Sequence, residues 1–104
     1  MARRRARGSC LTIRAEREAE LNLLAEKIEA MAEREAARYG LAWHVSYCDC
    51  FPETANDPTS TQKVREAAEK LGYPIEVIER PERGSEDFGY FLKRAPGAIF
   101  EIGA

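Results

Sequence analysis

The feature that most constrains this chain is a long stretch, residues 15–39, in which apolar side chains recur every three or four positions. Charged side chains fill the positions between them, so the pattern predicts one amphipathic α-helix with a single apolar face. The apolar positions are Leu21, Leu24, Ala25, Ile28, Met31, Ala32, Ala36 and Tyr39. Gly40 tolerates a left-handed conformation and therefore predicts the end of the helix. Such a face has to be covered by another layer of structure.

Four short segments have the composition of β-strands. Residues 10–14 are rich in β-branched and apolar side chains, and apolar and polar side chains alternate along residues 41–47. Residues 75–78 and 98–102 are two further apolar segments. Alternation with a period of two is typical of a strand that is covered on one face, so all four segments are predicted to be strands.

Two more helices are predicted between these strands. Asp57 is a good N-cap and a proline follows it, which predicts a helix start there and an end before Gly72. Ser85 is expected to cap the third helix, with Glu86 and Asp87 in its first turn, where the helix dipole favours acids. The resulting order, strand-helix-strand-helix-strand-helix-strand, is that of an α/β fold.

Composition excludes several classes of protein. The 104 residues carry a formal net charge of −2, which argues against general binding to nucleic acid. The arginines within residues 1–8 form a basic tail that is either solvated or in contact with an anionic partner. No apolar run approaches the roughly 20 residues of a membrane-spanning helix, so no membrane association is expected. Three cysteines without a secretory signal predict reduced thiols and a cytoplasmic protein.

The motif Cys48-Asp49-Cys50 places two thiols at alternate positions. Such thiols could contribute to a metal site, although zinc usually requires further ligands, or they could simply be two small side chains at a strand end. His44 is the single histidine, and it is either a surface residue or part of a cysteine-histidine pair. Residues four apart on a strand lie roughly 13 Å from each other, which favours the surface position.

Three polar residues in the second half of the chain have two interpretations each. Glu86 and Asp87 form a carboxylate pair that suits acid-base or metal chemistry, or they stabilise a helix start. Asn56 lies in a loop just before a helix N-terminus, where exposed amide groups favour an anion, but asparagine is also a common turn residue.

The order of four motifs resembles that of a known family. They are TIR at residues 12–14, FPETANDP at 51–58, GSEDFGYF at 84–91 and PGAIFEIGA at 96–104. In this order and spacing the chain is similar to the C-terminal part of the zinc-dependent aminoacylase and carboxypeptidase-like amidohydrolases. That family includes N-acyl-L-amino acid amidohydrolases and hippurate hydrolases.

The resemblance implies a division of the chain into a basic tail at residues 1–8 and two partial domains. Residues 9–50 would be part of a ferredoxin-like lid that mediates dimerisation, so a homo-oligomer is expected. Residues 51–104 would return to the α/β sheet of the catalytic domain.

The resemblance also implies a chemistry. Family members use two metal ions, zinc or manganese, and a general-base glutamate to hydrolyse the amide bond of N-acyl amino acids or small peptides. By the same resemblance Asn56 and Arg14 would contact the substrate. Glu86 and Asp87 would support the site from behind the metal ligands or have a structural role.

The histidines and glutamates that hold the metals in this family have no counterpart in the chain. No catalytic residue and no metal ligand is therefore assigned, and whether the chain is itself an enzyme stays open. The leading hypothesis is an inactive fragment of a metal-dependent amidohydrolase. The alternative is a stand-alone α/β module for dimerisation or binding.

Overall fold

The computed structural model describes residues 7–84 and 86–103, which contain three helices. Helix α1 comprises Glu18–Arg38, helix α2 Pro58–Lys70 and helix α3 Phe88–Leu92. None of the three helices packs on another. The described residues are therefore organised by the segments that connect the helices.

Helix α1 confirms the long helix predicted from the apolar pattern, although it begins three residues later than the pattern does. Gly40 has a φ of +63° and ends the helix as predicted. The main-chain N–H of Leu41 donates to the Ala36 carbonyl at 2.8 Å, and that of Gly40 donates to Ala37 at 3.2 Å. These two bonds satisfy the last helical carbonyls in a Schellman arrangement, which requires the left-handed residue.

The apolar face of α1 is only partly covered. Leu21, Ala25 and Ile28 are half-buried and Ala36 is buried, so the covered positions follow the predicted helical spacing. Met31 and other apolar side chains of the same helix are exposed. Among the described helices, none is both long enough and apolar enough to cross a membrane.

Helix α2 starts and ends as the sequence predicts. The carboxylate of Asp57 accepts a hydrogen bond from the main-chain N–H of Ser60 at 2.8 Å, and Pro58 occupies the first turn. Gly72, at a φ of +75°, lies just beyond the C-terminal end. The N–H of Tyr73 donates to the Ala68 carbonyl at 3.0 Å, which again completes a Schellman arrangement.

Helix α3 differs from its prediction. It begins at Phe88, so Glu86 and Asp87 precede the helix and do not form its first turn. Asp87 occupies the N-cap position but its side chain makes no capping hydrogen bond. The predicted cap, Ser85, lies outside the described residues. The five-residue helix ends at Leu92, with Lys93 as its C-cap. Ala95 and Pro96 follow shortly after, and the residue before a proline disfavours helical geometry, so the helix cannot continue far.

The predicted α/β fold is wrong for this structure. Within the described residues no β-strand forms, so the segments predicted as strands, 10–14, 41–47, 75–78 and 98–102, have no regular structure. A strand exists only when its main chain bonds to a neighbouring strand. Among described segments far apart in sequence, a single main-chain bond forms, from the Asp57 N–H to the Gly97 carbonyl at 2.8 Å. Alternation of apolar and polar side chains indicates which face of a strand would be buried, but it does not supply a neighbouring strand. A pair of strands alone is also barely stable.

Without a sheet, the described part of the chain has almost no apolar core. Ala36 is the only buried hydrophobic residue in the described part of the chain, while Trp43, Tyr47, Ile75 and many other large apolar side chains are exposed. The radius of gyration is 20.8 Å, whereas a compact domain of this length has about 13 Å. The halves predicted as pieces of a ferredoxin-like lid and of a catalytic sheet are therefore not formed as layers.

The cap of α2 gives a prediction about pH. The hydrogen bond from the Ser60 main-chain N–H holds the pKa of Asp57 below its usual value of 3.8. Because the folded state favours the carboxylate, the contribution of the cap is complete above the unfolded pKa and is lost as pH falls through the folded pKa. We expect the Ser60 amide resonance to shift as pH is lowered from about 5 to about 2.

The control is Asp57→Asn, because asparagine caps a helix as well as aspartate does but does not titrate. In this variant the Ser60 resonance should not follow the acidic transition. An equal shift in both proteins would show that the cap is not the titrating group.

Candidate functional site

Residues 50–57, here called the strap, take part in most of the hydrogen bonds between distant parts of the described chain. The strap also approaches the backbone of α3 closely. A Cβ atom at Gly89 would lie 2.6 Å from the Glu53 carbonyl oxygen and 2.9 Å from the Pro52 side chain. Gly89 is buried, so the strap lies directly on the α3 backbone at a point that only glycine permits.

Asn56 ties the end of the strap to the last segment of the chain. Its side-chain amide nitrogen donates to the Ile99 carbonyl at 2.8 Å, and its amide oxygen accepts from the Ile99 N–H at 2.9 Å. The side chain thus replaces the neighbouring strand that Ile99 lacks. The next residue, Asp57, adds the main-chain bond to Gly97 and caps α2 with its carboxylate.

The two acids before α3 have different surroundings. Glu86 is half-buried and accepts a hydrogen bond at 2.7 Å from the hydroxyl of Thr54, a residue of the strap. Asp87 is exposed at the N-cap position of α3. The described contacts therefore connect Glu86, and not Asp87, to the strap.

A polar cluster connects the start of α1 to the strap and to α3. The Glu53 carboxylate accepts from the main-chain N–H of Glu18 at 3.1 Å, satisfying one of the donors that a helix start leaves unpaired. The ammonium group of Lys93 lies 2.9 Å and 3.0 Å from the two carboxylate oxygens of Glu18. Glu18 is thus held on both its main chain and its side chain by residues from the second half of the sequence.

Arg14 lies at another connection between the two halves. Its guanidinium donates to the Arg83 carbonyl at 2.8 Å. The structure therefore places Arg14 beside the loop that precedes α3, while Asn56 lies on the Ile99 main chain. No described hydrogen bond joins Arg14 to Asn56, so the two residues predicted to bind substrate do not form one hydrogen-bonded cluster.

The described residues do not provide a metal centre. No group of three or more histidine, cysteine, aspartate or glutamate side chains is placed where it could hold a metal ion. His44, Cys48 and Cys50 are exposed. An open cleft of about 450 Å³ does lie beside the strap, between Asp57 and residues 92–96, and its lining includes basic side chains but no ligand cluster.

Comparison with known proteins establishes the family. Residues 11–104 match Peptidase family M20/M25/M40, which covers most of the chain. The chain is 29% identical over 84 residues to "Putative amidohydrolase YhaA" of Bacillus subtilis, an alignment that covers 80% of this chain and 21% of that protein. No solved structure is significantly similar to the chain.

Two further relatives carry more specific names. The chain is 35% identical over 66 residues to "Thermostable carboxypeptidase 1" of Saccharolobus solfataricus, covering 62% of this chain and 16% of that protein. It is 32% identical over 93 residues to an "N-acetyldiaminopimelate deacetylase" of Shouchella clausii, covering 88% of this chain and 25% of that protein. The chain thus spans a quarter or less of each of these relatives.

These matches first group the chain by sequence with proteins that are named as an amidohydrolase, a carboxypeptidase and a deacetylase. More specifically, the chain belongs to Peptidase family M20/M25/M40. The family resemblance that the four sequence motifs indicated is confirmed.

The sequence alone did not identify every residue of the site. Asn56 and Glu86 were noted from the sequence, and both have contacts to distant residues. Gly89, Glu53 and Lys93 were not noted, because a close backbone approach and a long-range ion pair leave no local pattern. The one sequence signal for the contact at Gly89 was the glycine itself, because a glycine within a helical segment is often required by close packing.

The contact at Gly89 gives a second prediction. Gly89→Ala would place a methyl group 2.6 Å from the Glu53 carbonyl oxygen, so the strap and α3 would have to separate. Overpacking of this kind typically costs about 1–3 kcal/mol, and we expect a fall of that size in the free energy of unfolding. The measurement is urea unfolding followed by circular dichroism.

Gly103→Ala is the matched control, because nothing lies within 4 Å of a Cβ atom there. It should unfold at nearly the same urea concentration as the unmodified protein. If both variants unfolded together, the strap would not rest on Gly89.

Proposed function

We propose that the chain is part of a metal-dependent hydrolase that cleaves the amide bond of N-acyl amino acids or small peptides. The observation that carries the proposal is the match of residues 11–104 to Peptidase family M20/M25/M40. It is supported by relatives that are named as an amidohydrolase, a carboxypeptidase and a deacetylase. Zinc or manganese is the metal that the family resemblance implies.

In this proposal the chain alone is inactive. The described residues do not fit a metal centre, so no step of the reaction is assigned to them. Their role is to orient the substrate and to hold the strap in place. The chain spans about a fifth of the length of the first curated relative, which agrees with a partial contribution to the site.

Arg14 and Asn56 are the proposed substrate contacts. A guanidinium suits a carboxylate because its N–H groups match the two carboxylate oxygens, and each compound of the proposed substrate class ends in a carboxylate. Asn56 presents both a donor and an acceptor, although in this structure both are used by Ile99. Substrate contact at Asn56 would therefore require that bonds to the substrate replace the two bonds to Ile99. Glu86 and Asp87 have a structural role in this proposal.

The division into residues 9–50 as part of a lid and residues 51–104 as part of a catalytic domain is included in the proposal. The strap begins at this boundary, and Glu18 is bonded to both Glu53 and Lys93 across it. The free cysteines Cys10, Cys48 and Cys50 agree with a cytoplasmic location, which we also propose.

The test starts from the gene. Extension of the reading frame in both directions should reveal a histidine-aspartate motif upstream and a histidine downstream. The extended protein should hydrolyse N-acetyl amino acids or dipeptides in the presence of zinc or manganese, while the 104-residue chain should not. A reading frame with neither motif, or turnover by the short chain, would overturn the proposal.

Arg14→Ala in the extended protein tests the substrate contact. Loss of a charge-assisted bond should raise KM about tenfold with a smaller change in kcat. Arg17→Ala, an exposed arginine nearby, is the control and should leave KM unchanged. Equal KM values for both variants would remove Arg14 from the site.

The exposed apolar surface supports a second part of the proposal, namely self-association of the isolated chain. Trp43 is 40% exposed and Tyr47 52% exposed, and both lie within residues 9–50, the part that the family resemblance assigns to a dimerisation lid. Burial of such side chains contributes about 25 cal/mol per Å², which favours a homo-oligomer at micromolar concentration. Sedimentation should show a species larger than 11.7 kDa, and a strict monomer would contradict this part.

A further inference from the structure

The two thiols of the Cys48-Asp49-Cys50 motif flank a left-handed residue. Asp49 has a φ of +50° and is the only described residue other than glycine with a positive φ. Aspartate is one of the few residues that adopt this conformation without large strain. Both cysteines are exposed and therefore accessible to reagents.

The turn at Asp49 shortens the distance between the two cysteine backbones. Two Cα atoms separated by one extended residue lie about 6.6 Å apart. Helical geometry of either hand reduces this separation to about 5.4 Å, as the rise and radius of an α-helix require. Disulfides join Cα atoms roughly 4.4–6.8 Å apart, most often about 5.5–6 Å, so the turn moves the pair from the upper end of this range to close to its most frequent separation.

The position of the Cys50 side chain supports the same conclusion. Its Sγ atom lies 3.8 Å from the Cys48 carbonyl oxygen, so the thiol is turned back across Asp49 towards Cys48. The Tyr90 hydroxyl donates to the Cys50 carbonyl at 2.8 Å and fixes the backbone at this residue. The pair is thus arranged locally and is also attached to α3.

We propose that Cys48 and Cys50 form a redox-active dithiol that a low-molecular-weight disulfide, such as glutathione disulfide, converts to an intrachain disulfide. One cysteine thiolate attacks a sulfur of the small disulfide, the S–S bond breaks, and one small thiol leaves as a thiolate that takes up the proton. The second cysteine then attacks the mixed disulfide and releases the second small thiol. The dithiol loses two electrons and two protons, and the small disulfide gains both.

A metal site at these residues is the less favoured alternative. Structural zinc requires four ligands, and the described residues bring no third metal-binding side chain to the pair. A disulfide requires only the two sulfur atoms. Its formation would fix the turn that leads into the strap at Cys50.

The test uses the purified chain with Cys10→Ser as the common background. The protein is equilibrated in buffers of varied glutathione to glutathione disulfide ratio, quenched with acid and alkylated, and its intact mass is measured. We expect both thiols to be lost together, with the mass of two hydrogens removed and without a bound glutathione. Cys48→Ser and Cys50→Ser should each accumulate one glutathione adduct instead.

Variants at Asp49 test the geometry. Asp49→Gly keeps the left-handed conformation accessible and should leave the redox midpoint close to that of the background protein. Asp49→Val disfavours it and should shift the equilibrium about tenfold towards the dithiol. The proposal fails if the background protein forms only glutathione adducts, keeps both thiols alkylatable in every buffer, or responds equally to both Asp49 variants.

Discussion

The structure depends on one close contact, in which the strap, residues 50–57, rests on the backbone of α3 at Gly89. A Cβ atom at this position would lie 2.6 Å from the Glu53 carbonyl oxygen. The strap can approach α3 this closely only because glycine has no side chain. Around it, Asn56 holds Ile99, Asp57 bonds to Gly97, and Thr54 bonds to Glu86. These polar contacts hold together segments that an apolar core would normally organise.

The charges around the strap reinforce this arrangement. Glu53 accepts from the first N–H of α1, where the positive end of the helix dipole favours a carboxylate. Lys93, the residue that follows α3, forms an ion pair with the Glu18 carboxylate. Exposed ion pairs contribute only about 0.2–1 kcal/mol each, so this cluster determines where α1 starts more than it stabilises the chain.

The features that could be predicted from the sequence are helix ends, which depend on residues close together in the chain. Asp57 and Gly40 act within a few residues of their own position, so the start of α2 and the end of α1 followed from residue type. The strands did not form, because a strand needs a partner and residues 41–47 have none in the described chain. Asn56 was predicted with two alternatives, and its bonds to Ile99 depend on a contact 43 residues away. The family followed from the order of motifs, which does not require any of these contacts.

The strap, and not an apolar core, holds the described segments of the chain together. Hydrogen exchange measured amide by amide on the unmodified chain tests this most directly. We expect the amides of Asp57 and Ile99, which donate to Gly97 and Asn56, to exchange more slowly than the amides of residues 42–47 and 75–78. Equal exchange in all of these segments would contradict it, because the strap would then open as readily as the segments without partners.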